Sequence, residues 1–314
     1  MKILVTGATG FIGRNLVRKL VILYPEAQIT CLVRCTSNTT SINDLGLKFI
    51  ITDISDYNEL IKINTVYDFI FHCAGCVSNK SKTLLKKYNI EATENVYRYA
   101  LETGSGKVIY TSSVATVSGN PQNPLTENLP YMVSNLYGWS KMEAEKSAIK
   151  YRALGVKTAI IRPTMIYGKD EPHLLKLIVN LIKHRLFFIW GNADIKFHLV
   201  YIDNVVDCLI DAMSNNGYLA GTYFISDNEV LTFGQVMDII ASALHVRPPI
   251  RMSKKIINIL RKIPIIKDKI NAVFKDREFP NAALKSIGFI PQYEARNALM
   301  LTAKSIAERP SKKS

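Results

Sequence analysis

The sequence predicts an α/β protein: a doubly wound parallel sheet followed by a smaller C-terminal domain of mixed α/β character. Three observations carry this. Short apolar runs alternate with segments of helical apolar spacing through the first 165 residues, as in a parallel sheet with helices on both faces. A glycine-rich turn joins the first run to the first helical segment. Beyond residue 165 the alternation gives way to longer amphipathic segments.

The strand candidates are Lys2–Thr6, Ile29–Val33, Phe49–Thr52, Tyr67–His72, Lys107–Thr111 and Thr158–Arg162, the last stopped by Pro163. The helix candidates between them are Phe11–Tyr24, Asp56–Ile63, Lys82–Thr103 and Tyr137–Ala153. Further helices are expected at Leu174–His184, Val205–Met213 and Thr232–Leu244, where Thr232 is a candidate N-cap. The expected division is one domain over 1–165, with 195–225 packing back onto it, and a second, mainly over 166–314. No internal repeat is visible, and Arg309–Ser314 reads as a frayed tail.

Composition sets bounds. With 314 residues, 48% apolar and 21% charged, the chain can bury a core and is neither disordered, collagenous nor coiled-coil. No window approaches the roughly 18 apolar residues of a membrane span. Met1–Gly13 resembles a weak signal peptide, but its apolar stretch is short and holds three glycines. The net charge of +14 suits anionic partners, nucleotide phosphates among them. Five cysteines, an odd number without a paired framework, fit a reducing compartment, so a cytoplasmic location is expected. Cys73-Ala-Gly-Cys76 matches C-x-x-C but lacks the second pair a zinc site needs, and no metal is expected.

Thr6-Gly7-Ala8-Thr9-Gly10-Phe11-Ile12-Gly13 follows a strand and opens a helix. In that context glycines close the turn, let the backbone approach a pyrophosphate and let helix pack on strand. The helix N-terminus offers free N–H groups to the phosphates. At the end of the second strand, Leu32-Val33-Arg34-Cys35-Thr36-Ser37 has no acid to accept the 2′-hydroxyl of NAD. Arg34 can pair with a 2′-phosphate, with Thr36 or Ser37 adding hydroxyls, so NADP is favoured and NAD is the alternative. Asp53-Ile54, closing the third strand, either reaches the adenine or caps the helix near Asp56.

Tyr137 and Lys141 lie four residues apart, on one helical face. A phenol is a poor acid–base catalyst at neutral pH unless cations favour its phenolate; a lysine and an oxidised nicotinamide both do so. Tyr110-Thr111-Ser112-Ser113 ends the preceding strand, where a hydroxyl can meet the same substrate oxygen.

These pieces, with His72-Cys73-Ala74-Gly75, Asn89, Arg162-Pro163-Thr164-Met165-Ile166-Tyr167-Gly168 and Tyr201-Ile202-Asp203-Asn204, occur in the order found in the extended short-chain dehydrogenase/reductases. The chain resembles the NAD-dependent epimerase/dehydratase superfamily over about its first two thirds, and in outline through a Leu284–Pro291 ending. The resemblance implies a Rossmann-type fold, with Tyr137 as acid/base, Lys141 as ribose anchor and Ser113 as substrate-oxygen donor, Ser112 being the fallback. It makes Asn89 a support of the proton relay. It places Gly7, Thr9, Gly10, Phe11, Ile12, Gly13, Arg34, Asp53, Ile54, Ala74, Gly75, Ser112, Lys141, Pro163 and Met165 at the cofactor. Substrate is expected between the two domains, and a homodimer through helices near 82–103 and 136–153.

Departures narrow the reading. The Asp-Glu pair of 4,6-dehydratases is replaced by Val114 and Ala115, which argues against dehydration. The arginine with which sugar-nucleotide members grip diphosphate aligns with Lys196, near His198. Lysine is a point charge rather than a fork, and His198 has the alternative of a buried structural residue. Val200–Val206 also resembles the hydroxysteroid-dehydrogenase and dihydroflavonol-reductase branches. Asp203 is expected to cap the following helix, and Lys80, Lys82, Lys86 and Lys87 to form a solvated face. The segment 247–277 carries ten basic residues against two acidic. Within it Ile256, Ile257, Leu260 and Ile263 share a helical face that suits either a pocket cap or peripheral contact of 253–263 with an anionic, cytoplasmic-face membrane. No nucleic-acid module is seen.

The expected function is hydride transfer between nicotinamide C4 and a secondary alcohol or ketone of a small molecule, sugar-linked or lipidic. A nucleotide-sugar epimerase with tightly held NAD is the alternative, and a non-catalytic dinucleotide sensor a third.

Overall fold

The computed structural model describes residues 1–171, 174–189, 193–251 and 276–308. The basic helical face at 254–263 and the tail at 309–314 lie outside them. The chain forms two compact units. The first comprises Met1–Pro163, Val205–Ile225 and Asn281–Ile290, and the second Thr164–Asn204, Ser226–Pro280 and Pro291–Ser314.

The first unit is built on a seven-stranded sheet. Its strands, numbered along the chain, are β1 (Lys2–Thr6), β2 (Gln28–Val33), β3 (Lys48–Ile51), β4 (Phe69–His72), β5 (Lys107–Thr111), β6 (Thr158–Pro163) and β11 (Thr222–Ile225). They lie in the order β11-β6-β5-β4-β1-β2-β3, every pairing parallel. This is the doubly wound fold. Ile3, Leu4 and Val5 of β1 are all buried, as a central strand covered on both faces requires. From β1 the chain runs outward first to β2 and β3, then to β4, β5 and β6. The carboxyl ends of β1 and β4 therefore flank the switch point where such sheets bind ligands.

The helices follow the predicted spacing, with one difference. α1 is Phe11–Leu23, and α2 is Tyr57–Ile61, whose N-cap Asp56 accepts the N–H groups of Asn58 and Glu59. The segment expected as one helix over 82–103 is α3 (Lys82–Leu85), a π-helical turn (Lys86–Glu91) and α4 (Ala92–Thr103). Such a turn inserts a residue into the helix and is frequent at functional sites; here it turns Asn89 inward, 1% exposed. α5 is Leu136–Ala153, capped by Asn135, whose side chain accepts the Gly138 N–H. β11 carries no pattern separating it from a loop. It is placed by pairing with β6 and by the preceding helix, whose last carbonyls, Ala212 and Met213, accept from the buried Lys107 ammonium at 2.9 and 3.0 Å.

In the second unit, α6 (Leu174–Lys183), α8 (Phe233–Ala243) and the helix Ala295–Ala307 share an apolar core that includes Val179, Val236, Ile240 and Leu299. Thr232 caps α8 in a reciprocal box with Gln235. Three two-stranded pairs accompany them: β7 (Met165–Tyr167) with β10 (Leu199–Tyr201), β8 (Phe188–Ile189) with β13 (Ile250–Arg251), and β9 (Lys196–Phe197) with β12 (Leu231–Thr232). Two- and three-residue strands are too short for a period to show. α7 (Ile202–Ser214) begins one residue before Asp203, which therefore lies in its first turn instead of at the cap expected of it. Among the described residues no helix is long and apolar enough to cross a membrane.

Candidate active site

A cleft of about 300 Å³ opens in the first unit at the carboxyl edge of the sheet. Its floor is the turn after β1. Gly7 has φ +71°, and a Cβ there would lie 2.6 Å from the backbone N of Ala74. Gly10 N–H donates to Gly7 O at 2.9 Å, and a Cβ on Gly13 would stand 2.1 Å from that same oxygen. The turn can pass this close to β4 and α1 only without side chains. Gly10 caps α1 with no side-chain bond, and no acidic residue stands in the first turn. This is an N-terminus suited to an anion. The cradle, its volume and its charge fit a dinucleotide pyrophosphate.

Gly7, Thr9, Gly10, Arg34, Asp53, Ile54, Ala74 and Gly75 line the cleft as expected positions, joined by Thr6, Leu32, Ser37, Thr52, Cys73, Cys76, Leu84 and Tyr88. Phe11, Ile12 and Gly13 are not in its lining; they form the first turn of α1, and Gly13 serves by packing on Gly7. Arg34 N–H donates to Ser37 Oγ at 3.0 Å, and the Arg34 guanidinium stands 5.4 Å above the Tyr88 ring. Thr36 is exposed outside the lining. Asp53 accepts from Ser55 N and Oγ and pairs with Lys87 at 3.3 Å. Burial would raise its carboxyl, but Ser55 and Lys87 outweigh that and hold it below the usual range. Lys80, Lys82, Lys86 and Lys87 are all exposed, as expected of a solvated face; Lys86 meets Glu91, and Lys82 lies over the Trp139 ring.

Behind the cleft, β5 and α5 bring the candidate catalytic groups together. The Ser113 hydroxyl lies beside the Tyr137 phenol. Burial pushes the Tyr137 phenol up to about 12, with the Ser113 hydroxyl pulling it down and Cys76 adding to the rise. Lys141 is buried, and its ammonium donates to Thr111 O at 2.8 Å. Burial lowers it to about 8, against opposing pulls from Cys73 and Glu145. Asn89 Oδ1 accepts the Cys76 N–H at 2.6 Å, while its amide donates to Cys76 O and to Ser140 Oγ. Asn89 thus ties the cleft wall to α5. Gly75 is close-set too: its Cβ would meet Lys141 Nζ at 3.3 Å. His72 bridges Thr6 Oγ1 and Thr93 Oγ1 at 2.7 and 2.9 Å.

The remaining expected residues have these surroundings. Ser112 is buried and donates its hydroxyl to Glu145, so its side chain is spent away from the cleft. Pro163 ends β6, paired with Ile225, and is buried, whereas Met165 belongs to the second unit and is 47% exposed. Lys196 pairs with Glu278, and His198 uses both ring nitrogens on backbone, accepting Phe279 N–H at Nδ1 and bonding Asp227 O through Nε2. The structural reading of His198 therefore holds. Cys73 is a free thiol pushed up to about 11 by burial. Among the described residues no cluster suits a metal ion. Glu145 and Tyr88 were not foreseen; the signal for Glu145 is its place one turn beyond Lys141.

Comparison with known proteins gives the chain's family. The model of the NAD dependent epimerase/dehydratase family matches residues 3–225. A UDP-glucose 4-epimerase of Vibrio cholerae is 28% identical over 77% of this chain and 75% of its own. A 3-beta-hydroxysteroid dehydrogenase of Mycolicibacterium neoaurum is 27% identical over 82% and 74%. The Thermus thermophilus UDP-glucose 4-epimerase, solved in complex with NAD, shares the fold with a TM-score of 0.79, 19% identity and coverage of 98% and 99%. The match of the family model over residues 3–225 shows that the chain belongs to the NAD-dependent epimerase/dehydratase family.

Proposed function

We propose that the protein is an NADP-dependent reductase or dehydrogenase acting on a ketone or secondary alcohol. The observation that carries this is the Tyr137–Ser113 hydroxyl pair, with Lys141 one helical turn on, beside a cleft whose adenosine end presents Arg34. The bound nicotinamide supplies the hydride for reduction and accepts it for oxidation. The chain's groups handle the proton. With its phenol up near 12, Tyr137 is protonated at neutral pH and donates to a carbonyl oxygen as the carbon is reduced. Ser113 holds that oxygen by a hydrogen bond. Lys141, still mostly an ammonium at pH 7, keeps donor capacity for the ribose and favours the phenolate that proton transfer leaves. Arg34 and Ser37 bind the 2′-phosphate, and Val114 and Ala115 leave no acid–base pair for 4,6-dehydration.

The second reading is a nucleotide-sugar epimerase with retained NAD, favoured by the Vibrio cholerae relative. Against it, both residues offered for gripping a diphosphate are engaged, Lys196 by Glu278 and His198 by backbone. The test is to identify by mass spectrometry any dinucleotide released from the denatured protein. The emptied protein is then titrated with NADPH and NADH and offered a 3-oxosteroid and UDP-glucose. An empty protein that prefers NADPH and reduces the ketone supports the proposal. Stoichiometric NAD with UDP-glucose epimerisation overturns it.

A further inference from the structure

Glu145 is fully buried and sits on α5 at the i+4 position from Lys141 and i+8 from Tyr137, on the face that carries both. Arg162, at the end of β6 and itself 3% exposed, grips it with Nε at 2.9 Å from Oε1 and Nη2 at 2.6 Å from Oε2. Tyr131 donates to Oε2 at 2.9 Å, and Ser112 donates to Oε1. Ser112 adjoins Ser113, the hydroxyl that meets Tyr137. One carboxylate therefore joins the helix bearing the tyrosine and lysine to the strand end bearing the serine. A buried charge pair is weak evidence of net stability, but its hydrogen bonds fix the groups that make them relative to one another.

We infer that Glu145, held by Arg162, is a positioning residue for the reaction: through Ser112 it seats Ser113 against Tyr137. The inference rests on the catalytic reading of Tyr137 above. Glu145 touches neither reacting atom. It acts because α5 carries Glu145 and the β5 exit is bonded to its Oε1 through Ser112, so the two cannot shift independently. The groups facing Tyr137 are Ser113, Cys76 and Tyr110. Among them the Ser113 hydroxyl is the one that lowers the phenol.

The readout is therefore the ionisation of Tyr137, which a merely structural role would leave alone. It is followed by ultraviolet difference titration of the full chain saturated with NADP⁺, with Tyr137→Phe as the blank. Ser112→Ala removes the hydroxyl link and keeps the ion pair; Glu145→Gln keeps the shape and removes the charge. In Ser112→Ala the Tyr137 pKa is expected to rise by about half to one unit, the equivalent of one net hydrogen bond, with NADPH affinity retained. Glu145→Gln is expected to move it in the same direction. If Glu145→Gln does not fold, Ser112→Ala decides. A folded Ser112→Ala protein with an unchanged Tyr137 pKa overturns the inference. A parental protein in which Tyr137→Phe removes no titrating phenol overturns instead the catalytic reading beneath it.

Discussion

Gly13→Ala tests the cofactor cradle from a position that does not line it. The new Cβ would stand 2.1 Å from Gly7 O and 2.8 Å from Ala8 Cα. Relieving such a contact requires a shift of about 1 Å between the turn and α1. Overpacking of this kind costs about 1–3 kcal/mol, offset by about 1 kcal/mol from the better helix propensity of alanine. The net loss is then at most about 2 kcal/mol, a Tm fall of no more than a few degrees for a chain of this size. Binding suffers more, because phosphate hydrogen bonds do not survive a displacement of about 1 Å. Losing one charge-assisted bond, worth about 1.5–3 kcal/mol, weakens NADPH about tenfold to a hundredfold. The assay is NADPH fluorescence titration alongside thermal melting, with Gly104→Ala as control. Gly104 ends α4 at φ +68° with nothing within 4 Å of its would-be Cβ. That control is expected to lose about 1 kcal/mol of stability through strain alone, with NADPH affinity intact. A Gly13→Ala protein that binds NADPH like its parent would refute the steric account of the cradle.

Two further outcomes follow from the same unit. Arg34→Ala is expected to weaken NADPH about tenfold, the low end for an exposed charge-assisted contact, and to leave NADH unchanged; equal weakening of both nucleotides in parallel titrations would remove Arg34 from the 2′-phosphate. His72 is held down to about 3 by burial and by Lys141, against an ordinary value of 6.5. Its folded pKa thus lies below its unfolded one, so the unfolded chain binds the extra proton and stability falls as pH drops through that window. In urea titrations the parent is expected to lose about 1 kcal/mol per pH unit more than His72→Gln between those two values, and identical slopes would contradict the assignment.

Much of the first unit was legible because its signals are local and repeated. β1, the glycine turn and α1 stand within 23 residues, and each restricts the next. Tyr137 and Lys141 share a helical face by spacing alone, and Arg34 marks a strand end by the apolar run before it. What was not legible depends on contacts distant in sequence. Ser112 stands as the fallback to Ser113 in a Thr-Ser-Ser run, and the buried Glu145, 33 residues on, takes its hydroxyl. The π-helical turn at Lys86–Glu91 is hidden because one extra residue does not break an apolar period. Lys196 and His198 read as candidate anion ligands, yet their partners Glu278 and Phe279 lie some 80 residues later. The short strands β7 to β13 are defined by partners rather than by pattern.

In the proposed reaction Tyr137 moves the proton while the nicotinamide moves the hydride. The decisive experiment is the single-turnover rate of NADPH oxidation by the Tyr137→Phe protein, followed with the ketone its parent reduces and with NADPH affinity determined on the same sample. Loss of a positioned general acid is expected to slow the step about a hundredfold to ten-thousandfold, with NADPH bound as tightly as before. A variant that binds NADPH normally and turns over at the parental rate would contradict that role for Tyr137.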